Sequence, residues 1–331
     1  MEPIILSRIS DQKPLVSVVS ITYNHEPYIR DCLEGFLMQK TDFPFEVIIH
    51  DDASTDHTAD IIREYYEKRP DLFHVIIERE NQYSKGTEVS TPLIKMAQGK
   101  YIALCEGDDF WTDSLKLQKQ FNFLEKKPDC SLCFHNVYIK THDVKVYPLS
   151  FSSGYKTGKD VLKKWTIPTC SVLFRREVRD IFIPITEHEI RFYAGDIIVF
   201  LSAARIGHLY GLKDRMATYR RQPGGLTNKI LGWKRRCEHY NALSEHFPEY
   251  RAQIQENVCS FLYLWLILSL LARNRVECKE ILAELGKIKS VNAHAAGMFH
   301  CILRLPMKII KTNRRRYKAC MNVMNVKDVK Q

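Results

Sequence analysis

No Gly-x-Gly-x-x-Gly follows the first apolar stretch of this chain, and no Gly-x-x-x-x-Gly-Lys-Ser/Thr occurs anywhere in its 331 residues. Both signatures build a phosphate cradle from backbone amides at a helix N-terminus. Without them, any phosphate must be held by a metal ion and side chains. Long apolar runs are also missing. The longest, Phe261 to Ala272, has about a dozen residues against the roughly 20 of a membrane-spanning helix, and predicts a buried helix. Met1 to Ser10 shows no charged segment followed by an apolar one, so neither secretion nor an N-terminal anchor is expected. No zinc-finger, RNA-recognition or helix-turn-helix pattern is present, and no nucleic acid partner is expected. Cysteine is plentiful, at 32, 105, 130, 133, 170, 237, 259, 278, 301 and 320, but only Cys130 and Cys133 make a C-x-x-C. With no second pair and no histidine at zinc spacing, these read as core thiols of a reducing compartment, the cytosol.

What is present begins with charge. The net charge is +10, and from Cys301 to Gln331 nine Lys or Arg stand against the single acid Asp328, so most of the excess lies in this tail. Mixed with Ile309, Ile310 and Tyr317, the tail suits an anionic membrane surface, where each nearby cation contributes about 1 kcal/mol. A solvated end is the plain alternative.

Hydrophobic content of 45% supports a large α/β domain with a smaller appendage. Leu15 to Ile21, Phe45 to His50, Phe73 to Ile77 and Tyr101 to Cys105 are short, β-rich and without helical period, so each predicts a buried strand. Between them, helical spacing appears from Pro27 to about Gln39, around Ile61, Ile62 and Tyr65, and up to Gln98 with Gly99 as its stop. Alternating strands and helices produce a parallel sheet that binds ligands beyond the carboxyl ends of its strands. Two acid clusters fall there: Asp51, Asp52 and Asp56 after the second strand, and Glu106, Asp108 and Asp109 after the fourth. Asp56 or Ser54 can cap the next helix, whereas Asp51 and Asp52 have no such need. Three carboxylates within four positions call for a cation or a wet cleft, and Mg²⁺ or Mn²⁺ fits, since such ions take one or two carboxylates and fill the rest with water and phosphate oxygens. Capping of the helix near Ser114 is the bland alternative for Asp108 and Asp109. Further on, Thr166 to Arg175 predicts a turn into a strand, Asp196 starts an amphipathic helix, Tyr210 to Arg221 predicts a strand, and Gln222 to Thr227 a segment placed to fold over a site. Beyond that the chain predicts helices.

Five blocks together resemble the family 2 glycosyltransferases: Val16 to Asn24, Val47 to Asp56, Tyr101 to Trp111, Pro168 to Arg175, and Gly195-Asp196. The resemblance covers residues 15 to 228. It implies an α/β GT-A fold, Rossmann-like with a mostly parallel sheet flanked by helices, over 1–228, leaving 229–331 as a helical C-terminal region with the basic tail. It further implies an inverting transfer of the bacterial surface-polysaccharide type, by a hexosyl- or related transferase. The donor would be a nucleotide-diphosphate sugar, with UDP favoured, and the acceptor a saccharide or lipid-linked saccharide, at the inner face of the cell membrane. By position, Tyr23 would stack on the base and Asp52, helped by Asp51, would accept from its ring. Asp108 or Asp109 would ligate the metal, and Glu106, where the family has Asp, would face the ribose or a metal-bound water. Asp196 would be the general base. Many members carry a histidine near Gln222, so here diphosphate capture would fall to Arg220 or Arg221. A metal-dependent nucleotidyltransferase and a non-catalytic binding protein are the rivals. The first usually has a glycine- and Lys/Arg-rich loop after strand one, and Thr22 to Pro27 has neither.

Overall fold

Val and Ile fill most of Val16–Thr22, and every position but one is buried, so this strand has no solvent face and must lie inside a sheet covered on both sides. The computed structural model puts it there. Described are residues 2–8, 12–141, 145–151, 153–163, 167–187, 192, 195–222 and 232–304. The chain divides into two compact units, Met1–Asn228 and Lys229–Gln331.

In the first unit the elements run β1 (Ile4–Leu6), β2 (Val16–Thr22), α1 (Ile29–Leu37), β3 (Phe45–Asp51), α2 (Thr58–Lys68), β4 (Phe73–Ile77), α3 (Ser90–Met96), β5 (Tyr101–Leu104), β6 (Phe110–Trp111), α4 (Lys116–Lys126), β7 (Cys130–Thr141), β8 (Val146–Leu149), β9 (Gly154–Lys156), α5 (Gly158–Lys163), β10 (Leu173–Arg175), α6 (Arg179–Thr186), α7 (Asp196–Ile206) and β11 (His208–Arg221). They form one sheet of order β1-β4-β3-β2-β5-β10-β7-β11-β6, with β8 on β7 and β9 on β11. β4, β3, β2 and β5 are parallel neighbours, as the alternating pattern requires. β10 then enters antiparallel between β5 and β7, and β11 runs parallel to β7. The carboxyl ends of β2, β3, β5 and β11 therefore point the same way and bring their following loops to one edge.

The acid stretch does not lead straight into a helix. Phe110 and Trp111 form β6 and pair with Thr218 and Ala217 of β11, which ties the acid loop to the sheet's far side. Behind it, Lys116 is fully buried, its Nζ donating to Gln120 Oε1 at 2.7 Å and lying 4.0 Å from the Trp111 ring centroid. Burial pulls this ammonium down to about 8. The proton is thus held more tightly by the unfolded chain, and stability gains as pH rises from about 8 toward the ordinary lysine value. Buried thiols such as Cys133, pushed up by burial, act oppositely above pH 9, so the effect is read as a difference between proteins. The stability advantage of Lys116→Met over the wild type is expected to shrink by roughly 2 to 3 kcal/mol between pH 7 and pH 10, measured by denaturant unfolding.

The second unit contains α8 (Trp233–His246), α9 (Arg251–Leu271), α10 (Arg275–Lys287) and α11 (Val291–Arg304). Here the reading of a short apolar run needs correction. Gln253, Gln255 and Asn257 extend the helix without interrupting it, and Pro248–Leu271 is, at 24 residues, long and apolar enough to cross a membrane by length and composition, with 44% of its most apolar window buried. α11 lies directly on α9: a Cβ at Gly297 would sit 2.5 Å from that of Cys259, and Tyr263 Oη is 2.8 Å from His294 Nδ1. The tail residues 305–331 and the segment Pro223 to Thr227 lie outside the described residues.

Candidate active site

The first two strand ends are stitched together by their loops. Asn24 has φ 54° and its backbone N–H donates to Ser54 Oγ at 2.9 Å, while its Oδ1 accepts from the Thr55 N–H at 2.8 Å. His25 and Glu26 donate backbone N–H groups to Thr58 Oγ1 (2.9 Å) and Asp56 Oδ2 (3.1 Å). Asp56 also accepts from the Thr58 N–H at 3.0 Å, although the cap position of α2 is His57, which makes no side-chain cap bond. Contrary to the sequence reading, Asp51 and Asp52 have structural work as well. Asp51 accepts from the Ser54 N–H at 3.0 Å, and Asp52 receives the N–H groups of Gln82 (2.7 Å) and Tyr83 (3.0 Å), one on each oxygen. Both carboxylates are buried; burial pushes the Asp51 carboxyl up. Each oxygen keeps a second lone pair. Tyr23, 42% exposed, leaves its ring open to a stacking partner.

The acid loop after β5 is drawn against this edge. Gly107 donates its N–H to Ile21 O at 2.9 Å, and a Cβ there would meet Thr22 Cβ at 2.8 Å and His25 Nδ1 at 3.1 Å, so only glycine lets the loop approach. Glu106, Asp108 and Asp109 then present carboxylate oxygens that all lie within 4.8 Å of one another. Glu106 is exposed, yet the protein packed around it, with the charges of Asp108 and Asp196, pushes its carboxyl up to about 8. Asp109 is fully buried, and burial followed by the charges of Asp108 and Glu106 pushes it well above the carboxylate range. Its Oδ1 accepts from the Arg220 backbone N–H at 2.7 Å, whereas its Oδ2 is buried without a partner. Three converging oxygens, one of them orphaned in the interior, fit a hard divalent cation.

Asp196, from the other half of the unit, lies near enough for its charge to act on Glu106. It opens α7, its Oδ1 accepting from the Ile197 N–H at 3.0 Å. Sequence reasoning missed His25, which stands between the clusters: burial lowers its imidazole, while Asp108, Asp56 and Asp51 act to raise it. The only available signal was its place directly after Thr22-Tyr23-Asn24. Gln222 Nε2 donates to Asp108 Oδ2 at 3.1 Å, so this side chain meets the acid group itself. Arg221 is exposed at the end of β11. Arg220 is not: its guanidinium donates to Asp31 and to the Asp108 carbonyl, partners that sequence spacing did not reveal.

Residues 17–182 match the sequence profile described as Glycosyl transferase family 2. An uncharacterized protein of Mycobacterium tuberculosis, Rv1520, is 40% identical over 216 residues, 64% of this chain and 60% of that protein, so the chain spans about three-fifths of this relative's length. The putative teichuronic acid biosynthesis glycosyltransferase TuaG of Bacillus subtilis is 32% identical over 63% of this chain and 79% of its own. WfaP of Escherichia coli, a UDP-Glc:alpha-D-GlcNAc-diphosphoundecaprenol beta-1,3-glucosyltransferase, is 33% identical over 53% of this chain and 66% of its own. Among solved structures, S. aureus TarS 1–349 with UDP-GlcNAc superposes at a TM-score of 0.54 (19% identity, 75% of this chain, 71% of that one). The mannosyltransferase PcManGT of Pyrobaculum calidifontis, with GDP-Man and Mn²⁺, gives 0.50 (18% identity, 96% and 89%). These two likenesses establish the GT-A fold. A profile match over half the chain and a glycosyltransferase relative covered for most of its length, carried on that fold, make this protein a member of glycosyl transferase family 2.

Proposed function

We propose that residues 1–228 transfer a sugar from a nucleotide-diphosphate sugar, UDP-linked by preference, to a hydroxyl of a saccharide or lipid-linked saccharide, with inversion. The observation that carries this is the convergence of Glu106, Asp108 and Asp109 on one loop, with Asp196, on a separate element, near enough for its charge to act on Glu106. Tyr23 offers a face to the base, and Asp52, with Asp51 behind it, retains lone pairs for a ring N–H. Asp196 takes the proton of the acceptor hydroxyl as that oxygen bonds to the anomeric carbon and the bond to the diphosphate oxygen breaks. A divalent ion, Mg²⁺ or Mn²⁺, would supply Lewis-acid neutralisation of the leaving diphosphate, and Asp108 and Asp109 would hold it. WfaP's UDP-Glc donor and the UDP-GlcNAc complex of TarS favour uridine nucleotides, and WfaP's lipid-diphosphate acceptor favours a lipid-linked one here. A lipid-linked acceptor gives the tail, with its nine cations, a reason to dock 229–331 on the anionic cytoplasmic face of the membrane. Family membership sets aside both the nucleotidyltransferase and the non-catalytic alternatives.

Thermal unfolding with UDP-, GDP- and dTDP-sugars, with and without Mn²⁺, tests the reading. A donor at 100 times its dissociation constant adds about 2.7 kcal/mol, and the UDP-sugar with Mn²⁺ is expected to give the largest rise. A melting point indifferent to every nucleotide sugar would remove the proposal.

A further inference from the structure

Arg220 carries more contacts to the acid loop than any catalytic assignment explains. Its backbone N–H donates to Asp109 Oδ1 at 2.7 Å, its Nη1 to the Asp108 carbonyl at 2.7 Å, and its Nη2 pairs with Asp31 Oδ2 in the first turn of α1. The guanidinium lies 4.4 Å from the Phe110 ring centroid and 5.1 Å from that of Tyr28, and only 5% of the side chain is exposed. Two positions on, just past the end of β11, Gln222 holds the Asp108 carboxylate. The end of β11 and the residue after it thus grip the backbone of Asp108 and the side chains of Asp108 and Asp109. With Nη1 and Nη2 each donating to a partner, two aromatic rings near it and the side chain almost wholly buried, this guanidinium is tied to the acid loop and to Asp31.

We propose that Arg220, braced by Asp31, is a positioning residue that holds the acid loop in the shape in which Asp108 and Asp109 converge. A buried ion pair adds little net stability over apolar residues of similar size, whereas fixing one arrangement among several is its best-attested use. Here the arrangement fixed is that of three mutually repelling carboxylates. Asp31 itself takes no part in the carboxylate cluster; its side chain is 54% exposed, and it acts on the loop only through Arg220. The proposal rests on the proposed metal-assisted transfer for its consequence, though not for its geometry.

The test uses the full chain as Arg220→Met, Asp31→Asn and the double variant, with thermal unfolding to show that each folds. Asp31→Asn changes a half-exposed side chain and provides the variant that keeps its fold. In metal-free protein, amide hydrogen exchange at Gly107 to Phe110 is expected to quicken by about tenfold in each single variant, and by no more in the double, because both act through one contact. In Mn²⁺ titrations with UDP, both singles are expected to bind the ion about tenfold more weakly, and excess Mn²⁺ to restore most of the transfer rate. Arg220→Lys, which keeps a cation toward Asp31, is expected to recover part of both effects. Loop exchange unchanged in Arg220→Met and Asp31→Asn would overturn the clamp. So would a loss of metal-free UDP binding confined to Arg220→Met, the mark of a direct phosphate ligand. If the wild type binds neither Mn²⁺ nor nucleotide, the transferase reading fails, and the exchange rates still decide the clamp.

Discussion

Asp196→Asn is expected to slow sugar transfer by about 10³-fold while donor affinity stays within about twofold of wild type. The substitution is informative because Asp196 holds two positions at once. It begins α7, with Oδ1 on the Ile197 N–H, and its charge reaches Glu106 at the mouth of the acid cluster. Asparagine serves a helix start about as well as aspartate, and its carbonyl oxygen keeps that hydrogen bond, so the fold should not change. The amide cannot accept a proton from an attacking hydroxyl, and that step alone is lost. Single-turnover assays with a UDP-sugar and Mn²⁺ measure the chemical step, and equilibrium binding of UDP measures the donor site. An unchanged rate would leave Asp196 as a structural helix start and send the search for the base elsewhere. Removing this negative charge also relieves Glu106, whose carboxyl should titrate at lower pH in the variant, a spectroscopic sign that the two groups share a space.

The sheet centre was legible because β2, β3, β4 and β5 are short continuous apolar runs separated by helical periods, a pattern with few three-dimensional solutions. The outer strands were not. β8, Val146–Leu149, shows solvent three of its four residues, and β6 has two residues in all, so neither carries a period to read. Nor could local pattern show that β10 enters the sheet antiparallel. At the site, strand-end acids announced themselves by their position after apolar runs, and the structure gathers Glu106, Asp108 and Asp109 as the spacing suggested. What sequence spacing could not reveal were pairings across long separations. Arg220 meets Asp31 across 189 positions, and Asp52 meets the amides of Gln82 and Tyr83 some 30 positions away, so a cation read only as a ligand turns out to have an acidic partner, and an acid read as free turns out to have partners. The apolar run from Phe261 is only the second half of α9, because hydropathy alone does not count the polar residues of its first turns.

Asp109→Asn should separate stability from activity more sharply still: transfer falls by about 10³-fold, the several kcal/mol that a correctly held cation supplies, while the metal-free protein becomes no less stable. Asp109 is fully buried, with one oxygen on the Arg220 N–H and the other unpartnered. An asparagine keeps the first bond and removes a carboxylate that has no cation beside it in the metal-free chain. The pH dependence follows from the raised carboxyl. The folded protein holds this proton more tightly than the unfolded chain, so the stability it contributes is present below the ordinary aspartate value and is lost as pH rises toward the elevated one. Glu106, pushed up to about 8, acts in the same direction over pH 4.5 to 8. Buried histidines such as His135 and His239, lowered by burial, act oppositely over part of this range, so the effect is read as a difference: between pH 5 and pH 8 the metal-free wild type should lose stability relative to Asp109→Asn, as denaturant unfolding of both proteins at the two pH values would show. Added Mn²⁺ should reverse the trend in the wild type, since the ion competes with the proton for the same oxygens, and should leave the variant nearly unmoved. Full activity in Asp109→Asn would mean that the orphaned oxygen never meets the ion and that Asp108 holds it without Asp109.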